Sequence, residues 1–181
     1  LCWSLTSIFT VTAIGASAIV ARRTGENRKE HASTASSTAL MLAVLLGGIV
    51  TLVGIVGREP CIGWLEQLLG NQDSEANATI SDHAEGYLKW FLLLFPIRAL
   101  AVTMEATLRG AGEALLPVLG GVAGNLANIL GNAMLLFGLW GAPKMGLEGV
   151  GLATGLAPAV EVLLILLVLL LRRSGRLVLT F

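Results

Sequence analysis

The chain has 181 residues, of which 55% are hydrophobic and only 13% are charged, and its formal net charge is zero. A soluble domain usually carries about 25% charged residues, so this composition is typical of a membrane protein. Lysine and arginine are scattered between apolar runs, which argues against nucleic-acid binding. Cys2 and Cys61 lack the spacing of metal ligands, so the sequence predicts no metal site and no cofactor.

Apolar runs divide the chain into five segments that are long enough to cross a bilayer as helices. They cover residues 1–21, 38–57, 86–108, 115–139 and 150–171. The predicted fold class is therefore all-α, a polytopic transmembrane helix bundle. Pro96 lies near the middle of the third run and is expected to kink it. Because the chain begins inside an apolar run and at Leu1 rather than Met, we interpret it as a fragment of a longer polypeptide.

The distribution of basic residues predicts the orientation. If the five runs alternate in direction, most basic residues fall on one side of the membrane. These eight are Arg22, Arg23, Arg28, Lys29, Arg109, Arg172, Arg173 and Arg176. The opposite side has Arg58 and Lys144, with Lys89 near its edge. Because basic loops remain cytoplasmic, we expect Leu1 outside and the C-terminal tail in the cytoplasm.

The fourth run carries asparagines on one helical face. Asn125, Asn128 and Asn132 are spaced i, i+3 and i+7, which stacks them along one side of an α-helix. An amide without a hydrogen-bond partner in hydrocarbon costs several kcal/mol, so this face must meet protein, water or a ligand. Two interpretations remain open: amides that bond across a helix pair, and a polar cavity lined by this face.

Two charged residues, Arg98 and Glu161, fall near the middle of predicted spans. Such residues cost roughly 2.5–3.5 kcal/mol on insertion scales, so they normally face a cavity or a partner. Either the two neutralise each other, or Glu161 acts as a group that binds and releases a proton. Glu105 lies near the end of its run and is expected to reach the membrane interface. The sequence contains no nucleophile–base pair, so an enzyme is not predicted.

Four segments resemble the multidrug and toxic compound extrusion (MATE) family of antiporters. They are GASAIVARRTGENRKE at 15–30, LRGAG at 108–112, NILGNAMLLFG at 128–138 and MGLEGVGLAT at 145–154. The first segment is similar to the end of the family's second helix with its basic loop, and the second to the turn after the fourth helix. The third resembles the fifth helix, and the last resembles the entry to the sixth. The resemblance implies a single partial lobe, helices two to six of a twelve-helix protein with two lobes around a central cleft.

The resemblance also implies a site. Asn125, Asn128, Asn132 and Thr154 would line a pocket for substrate or a cation. In many members an aspartate occupies the place of Asn132, and an amide takes up no proton near neutral pH. Family members also use an acidic residue on the first helix, which this chain does not contain.

The implied function is a secondary active transporter of the plasma membrane. It would export organic, cationic or amphipathic compounds in exchange for H+ or Na+, and its partners would be the substrate, the bilayer and the remaining polypeptide. Two alternatives stay open. A flippase of lipid-linked sugars from a related fold would favour a basic cavity, for which Arg98 is the candidate. A membrane scaffold subunit without transport would use the asparagines only for helix packing.

Overall fold

The structure, a computed structural model, describes residues 2–69 and 74–173. All regular elements of these two segments are helices, which confirms the predicted all-α bundle. The elements are α1 (Cys2–Gly25), α2 (Lys29–Leu69), α3 (Ser74–Leu93), α4 (Phe95–Gly110), α5 (Leu115–Phe137) and α6 (Leu147–Arg173). A short 3-10 helix, Leu139–Gly141, lies between α5 and α6.

Several of these helices match the dimensions of a bilayer. Within the described residues, Lys29–Gly57, Leu115–Phe137 and Leu147–Arg172 are each long and apolar enough to cross it. A fourth candidate is a bent pair, Ala84–Leu93 and Phe95–Gly110, whose axes differ by 53°. The first predicted run falls within α1, which is not among these candidates, and the division into five spans stays a prediction.

The outer surface of the bundle is apolar. The middle of α2 exposes large hydrophobic side chains, each more than 60% accessible. They are Met41, Leu45, Leu52, Val53 and Val56. An apolar face of this extent is costly in water but suits contact with lipid chains.

The bend between α3 and α4 follows from Pro96. Proline has no backbone N–H, so the carbonyl of Leu92 cannot accept the hydrogen bond that residue 96 would donate in a continuous helix. The hydroxyl of Thr51 on α2 donates to this carbonyl instead, at 2.7 Å. The kink expected at Pro96 is therefore a break into two helices, and the freed carbonyl is satisfied by a neighbouring helix.

Helix α4 lies in the middle of the bundle, in contact with α1, α2 and α6. On one side, the ring of Phe95 packs edge-on against Phe9 of α1, with centroids 5.3 Å apart. On the other side, Met104 belongs to a buried cluster with Leu116 and Ile165. The two apolar contacts hold α4 in place while its third face remains available for polar side chains.

Helices α5 and α6 pack antiparallel through small residues. A Cβ atom added at Gly124 would lie 3.2 Å from the carbonyl oxygen of Ala157, and one added at Gly131 would lie 3.0 Å from the Cβ of Ala153. Such close approach of two backbones is the usual role of small residues in membrane helix pairs. It brings α6 alongside the asparagines of α5.

The basic residues at the ends of α1, α4 and α6 gather at one end of the bundle. Gly110, at the end of α4, touches the backbone of Ser17 on α1. Arg172 of α6 forms an ion pair of 3.0 Å with Glu113, in the turn after α4. At the end of α1, hydrogen bonds from Arg22 and Arg23 hold the pKa of the Glu26 carboxyl below its usual value. The orientation of this end stays a prediction, and residues 174–181, with Arg176, lie outside the described residues.

Two neighbouring glycines of α2 give a matched test of this packing. A Cβ added at Gly47 would lie 2.8 Å from the Cα of Pro96, whereas one added at Gly48 would meet nothing within 4 Å. Gly47→Ala should lower the stability of the full-length protein by about 1–3 kcal/mol through overpacking. Gly48→Ala should leave stability unchanged or raise it by about 0.5–1 kcal/mol. Thermal unfolding in detergent measures both, and equal effects would contradict the contact between α2 and α4.

Cysteine labelling tests the predicted orientation. In a full-length variant lacking Cys2 and Cys61, single cysteines are placed at Ser33, near the basic end, and at Lys144, at the opposite end. An impermeant maleimide should label the cysteine at Lys144 in intact cells and the one at Ser33 only in opened cells, because basic loops stay cytoplasmic. The reverse pattern would overturn the predicted orientation.

Candidate functional site

A polar cavity of about 210 Å³ lies between α4, α5 and α6. Each of the three helices contributes four lining residues. They are Arg98, Ala101, Val102 and Glu105 from α4, Gly121, Gly124, Asn125 and Asn128 from α5, and Thr154, Ala157, Pro158 and Glu161 from α6. On every helix the spacing is i, i+3, i+4 and i+7, which is one continuous face over two turns. The cavity is therefore formed by three whole helix faces.

The structure brings most of the residues predicted from the sequence to this cavity. Asn125, Asn128 and Thr154 all line it, although they come from two helices. Asn132 does not line it. Its Nδ2 donates to the Oδ1 of Asn128 at 2.9 Å, one turn along the same helix. This amide–amide bond lies within α5 and does not cross to another helix, so the bond fixes the orientation of Asn128 beside the cavity.

The two charges expected inside the membrane, Arg98 and Glu161, also line the cavity. Within the described part of the chain, no ion pair joins them. The Nε of Arg98 and the Oε1 of Glu161 are both buried, and neither has a hydrogen-bond partner among the described residues. Each is close enough for electrostatic attraction to the other. The structure thus favours two ionisable side chains facing a shared cavity over a closed salt bridge.

Glu105 is the lining residue whose role the sequence analysis missed. Its Oε2 accepts a hydrogen bond from Arg109 at 3.1 Å, and its side chain is 24% exposed. Its carboxyl group lies within hydrogen-bonding reach of Glu161. Glu105 therefore lines the cavity, and the expectation that it extends to the membrane interface stays a prediction. The signal was its spacing of seven residues from Arg98, which places both on one face of α4.

Glycines of α5 provide the space for the carboxyl groups. A Cβ added at Gly121 would lie 3.5 Å from the Oε1 of Glu105, and one added at Gly124 would lie 3.6 Å from the Oε2 of Glu161. Both distances are ordinary van der Waals contacts, so the α5 backbone at Gly121 and Gly124 lies directly beside the two carboxyl groups. On the α5 side, the cavity wall therefore consists of glycine backbone beside the two carboxyl groups and of the amide side chains of Asn125 and Asn128.

The size and lining of the cavity limit what it can bind. Sites for drug-sized ligands usually measure about 300–1,000 Å³, so this cavity suits an ion, a few water molecules or the polar group of a larger compound. Amide and hydroxyl oxygens can accept hydrogen bonds or contact a cation, and the carboxyl groups can exchange protons. A larger crevice of about 530 Å³ lies between α1, α2 and Thr103, but it contains none of the predicted site residues.

A helix bundle with an apolar outer surface and a polar cavity between its helices is an architecture typical of membrane proteins. The MatE family model matches residues 1–134, and the chain therefore belongs to the MatE family. This result confirms the family resemblance and places the chain in a membrane.

Curated relatives carry names that agree with this family. A probable multidrug resistance protein NorM of Pseudomonas putida is 33% identical over 157 residues, covering 84% of this chain and 31% of the relative. The multidrug resistance protein PmpM of Pseudomonas aeruginosa is 31% identical over 151 residues, covering 82% of this chain and 29% of the relative. The chain spans about a third of the length of these relatives.

Solved structures of the same family are similar in fold. An outward-facing conformation of a multidrug resistance MATE family transporter of the MOP superfamily has a TM-score of 0.75 and 27% identity, covering 93% of this chain and 35% of that one. An inward-facing conformation has a TM-score of 0.72 and 25% identity, covering 87% of this chain and 33% of that one.

The hydrogen bond from Asn132 to Asn128 can be tested by substitution. Asn132→Leu removes the hydrogen-bond donor, so the side chain of Asn128 loses its fixed orientation. Binding of the probe cation tetraphenylphosphonium should then weaken roughly two- to tenfold, which corresponds to the loss of one hydrogen bond of about 0.5–1.5 kcal/mol. Asn132→Asp keeps the shape and, through rotation of the Asn128 amide, a hydrogen bond, so binding should change less. The measurement is equilibrium binding to the purified full-length protein. Equal affinities for the parent and Asn132→Leu would show that this bond does not affect the cavity.

Proposed function

We propose that the full-length protein is a secondary active transporter that exports organic, cationic or amphipathic compounds in exchange for protons or sodium ions. Membership of the MatE family supports this proposal. So do the multidrug resistance names of its relatives. The plasma membrane is the proposed location, because export of a compound from the cell requires the carrier there.

The observation that carries the proposal is the polar cavity between α4, α5 and α6. Asn125, Asn128 and Thr154 offer hydrogen bonds there, and Glu105 and Glu161 offer negative charge. Their roles in transport would be to hold the polar or cationic group of the substrate, or the coupling ion, away from lipid. Uncharged donors and acceptors fix orientation, while carboxyl groups select for positive charge.

The charges of the cavity favour a cation exporter over a flippase of lipid-linked sugars. Arg98 does line the cavity, as an anionic headgroup would require, but two carboxyl groups share the cavity with it. Arg109 pairs with Glu105 from outside the lining. A cavity with this balance has no net positive field to attract a phosphate group.

Alternating access is supported by the similarity to two states of a related transporter. The chain resembles the outward-facing and the inward-facing structures with TM-scores of 0.75 and 0.72. Similar scores for both states are expected if this part of the protein moves as a rigid body during transport.

Ethidium efflux from cells that express the full-length protein tests the proposal. Thr154→Val and Asn128→Leu should each slow efflux roughly two- to tenfold, because each removes one hydrogen bond of about 0.5–1.5 kcal/mol from the cavity. Thr107→Val is the matched control. Its hydroxyl donates to the carbonyl of Met104 on its own helix and lies outside the cavity lining. Its efflux should stay close to that of the parent.

The alternative without transport makes a different prediction for the same assay. A scaffold subunit would give no energy-dependent ethidium efflux from cells that contain the folded, membrane-inserted parent. Unchanged efflux in both cavity variants, with normal efflux in the parent, would instead move the substrate path away from α5 and α6.

A further inference from the structure

The side chains of Glu105 and Glu161 meet across the cavity from different helices. Each ends the lining face of its own helix, and their carboxyl groups lie within hydrogen-bonding reach of each other. The opposing helix α5 presents glycine to both. A Cβ atom added at Gly121 would lie 3.5 Å from the Oε1 of Glu105, and one added at Gly124 would lie 3.6 Å from the Oε2 of Glu161. The fold therefore brings two acids together in a polar space enclosed by three helices.

Two carboxyl groups in such contact need a proton. An ionised carboxylate is only an acceptor of hydrogen bonds, so two of them cannot bond to each other. One bound proton turns one group into a donor and removes the repulsion between like charges. The geometry assigns the two roles: Arg109 donates to the Oε2 of Glu105 at 3.1 Å, so Glu105 already acts as an acceptor and Glu161 is the donor of the pair.

The cavity also contains atoms that the described residues leave without partners. The Oε1 of Glu161 and the Nε of Arg98 are both buried and lack a hydrogen bond among the described residues. Both residues line the same cavity. An acid with a free oxygen, next to a cation with a free N–H, can release its proton without leaving the negative charge isolated.

The charged groups around Glu161 come from one neighbouring helix. Those on α4 are Arg98, Glu105 and Arg109, and α5 contributes to the lining only glycine and asparagine. Helix α3 packs on a different part of α6, where Gly151 touches Tyr87, and Gly155 touches Leu94 at the break between α3 and α4. The charged side chains that act on Glu161 are thus those of α4.

We propose that Glu105 and Glu161 form a carboxyl pair that shares one proton, and that this pair is a proton-binding site of this lobe. The role of the pair in export rests on the proposed function, whereas the shared proton is a property of the packed helices. Loss of the proton leaves both carboxylates facing Arg98 and the cavity, where a cationic group can take its place. Asn125, Asn128 and Asn132 take up no proton, so in this lobe they hydrogen-bond ligands and do not carry a proton.

Infrared difference spectroscopy of the full-length protein in lipid vesicles tests the pair directly. The parent should show the C=O stretching band of a protonated carboxylic acid, and raising the pH should remove it. Glu161→Gln and Glu105→Gln should each lose this band, because each leaves one carboxyl group without its partner. Glu148→Gln is the matched control on α6. Its carboxylate accepts from the Nε1 of Trp90 at 2.8 Å, far along the helix from the cavity, so the band should remain.

The other outcomes overturn the proposal. A parent without a pH-sensitive carboxylic acid band has no protonated pair. A band that survives both glutamine variants belongs to other residues, and a band lost in only one of them belongs to a single acid. Ethidium efflux from the same vesicles separates this test from the proposed function. A parent with the band but without efflux would keep the carboxyl pair and refute the exporter, whereas efflux without the band would refute only the pair.

Discussion

The close approach of α5 and α6 is the constraint on which the rest of the structure depends. A Cβ atom added at Gly124 would lie 3.2 Å from the carbonyl oxygen of Ala157, and one added at Gly131 would lie 3.0 Å from the Cβ of Ala153. The two glycines therefore let the helices approach closely. The apolar side chains beside them in the cavity lining are few, and the third wall is supplied by α4. Close packing of α5 and α6 therefore produces an open polar space in the centre of a bundle whose outer surface is apolar. A polar cavity between packed helices is the arrangement that membrane proteins use for charged groups at bilayer depth.

The position of α4 depends in turn on the break at Pro96. A continuous helix from α3 through α4 would carry the face with Arg98 and Glu105 along the direction of α3, but the bend of 53° directs it into the bundle. The break is tolerated because the hydroxyl of Thr51 donates a hydrogen bond to the carbonyl of Leu92, to which Pro96 has no N–H to donate. One proline and one threonine on another helix thus determine where Arg98 and Glu105 of α4 lie.

Much of this arrangement could be predicted from periodicity alone. A spacing of three, four and seven residues identifies side chains on one helical face, and it selected Asn125 and Asn128 correctly as neighbours. It could not show which faces of different helices meet, and for that reason it missed Glu105. Position near the end of a run suggested an interface residue, whereas the glycines of α5 make room for its carboxyl group inside. Asn132 lies one turn beyond Asn128, the last residue of α5 that lines the cavity. Where the lining ends depends on how α6 is aligned along α5. The spacing of residues within one helix does not reveal that alignment.

The volume of the cavity links its two proposed occupants. A space of about 210 Å³ is too small for a complete drug-sized molecule together with a separate ion site. A cationic group of the substrate and a proton on the carboxyl pair would therefore exclude each other, since both neutralise the same negative charge. Thermodynamic linkage requires that such competition be reciprocal: binding of the cation lowers the affinity for the proton, and binding of the proton lowers the affinity for the cation. Mutual exclusion within one lobe is the minimum requirement for exchange, and here it would follow from the packing of three helices around two acids. A change of conformation would then need only to present this one cavity to each side of the membrane in turn.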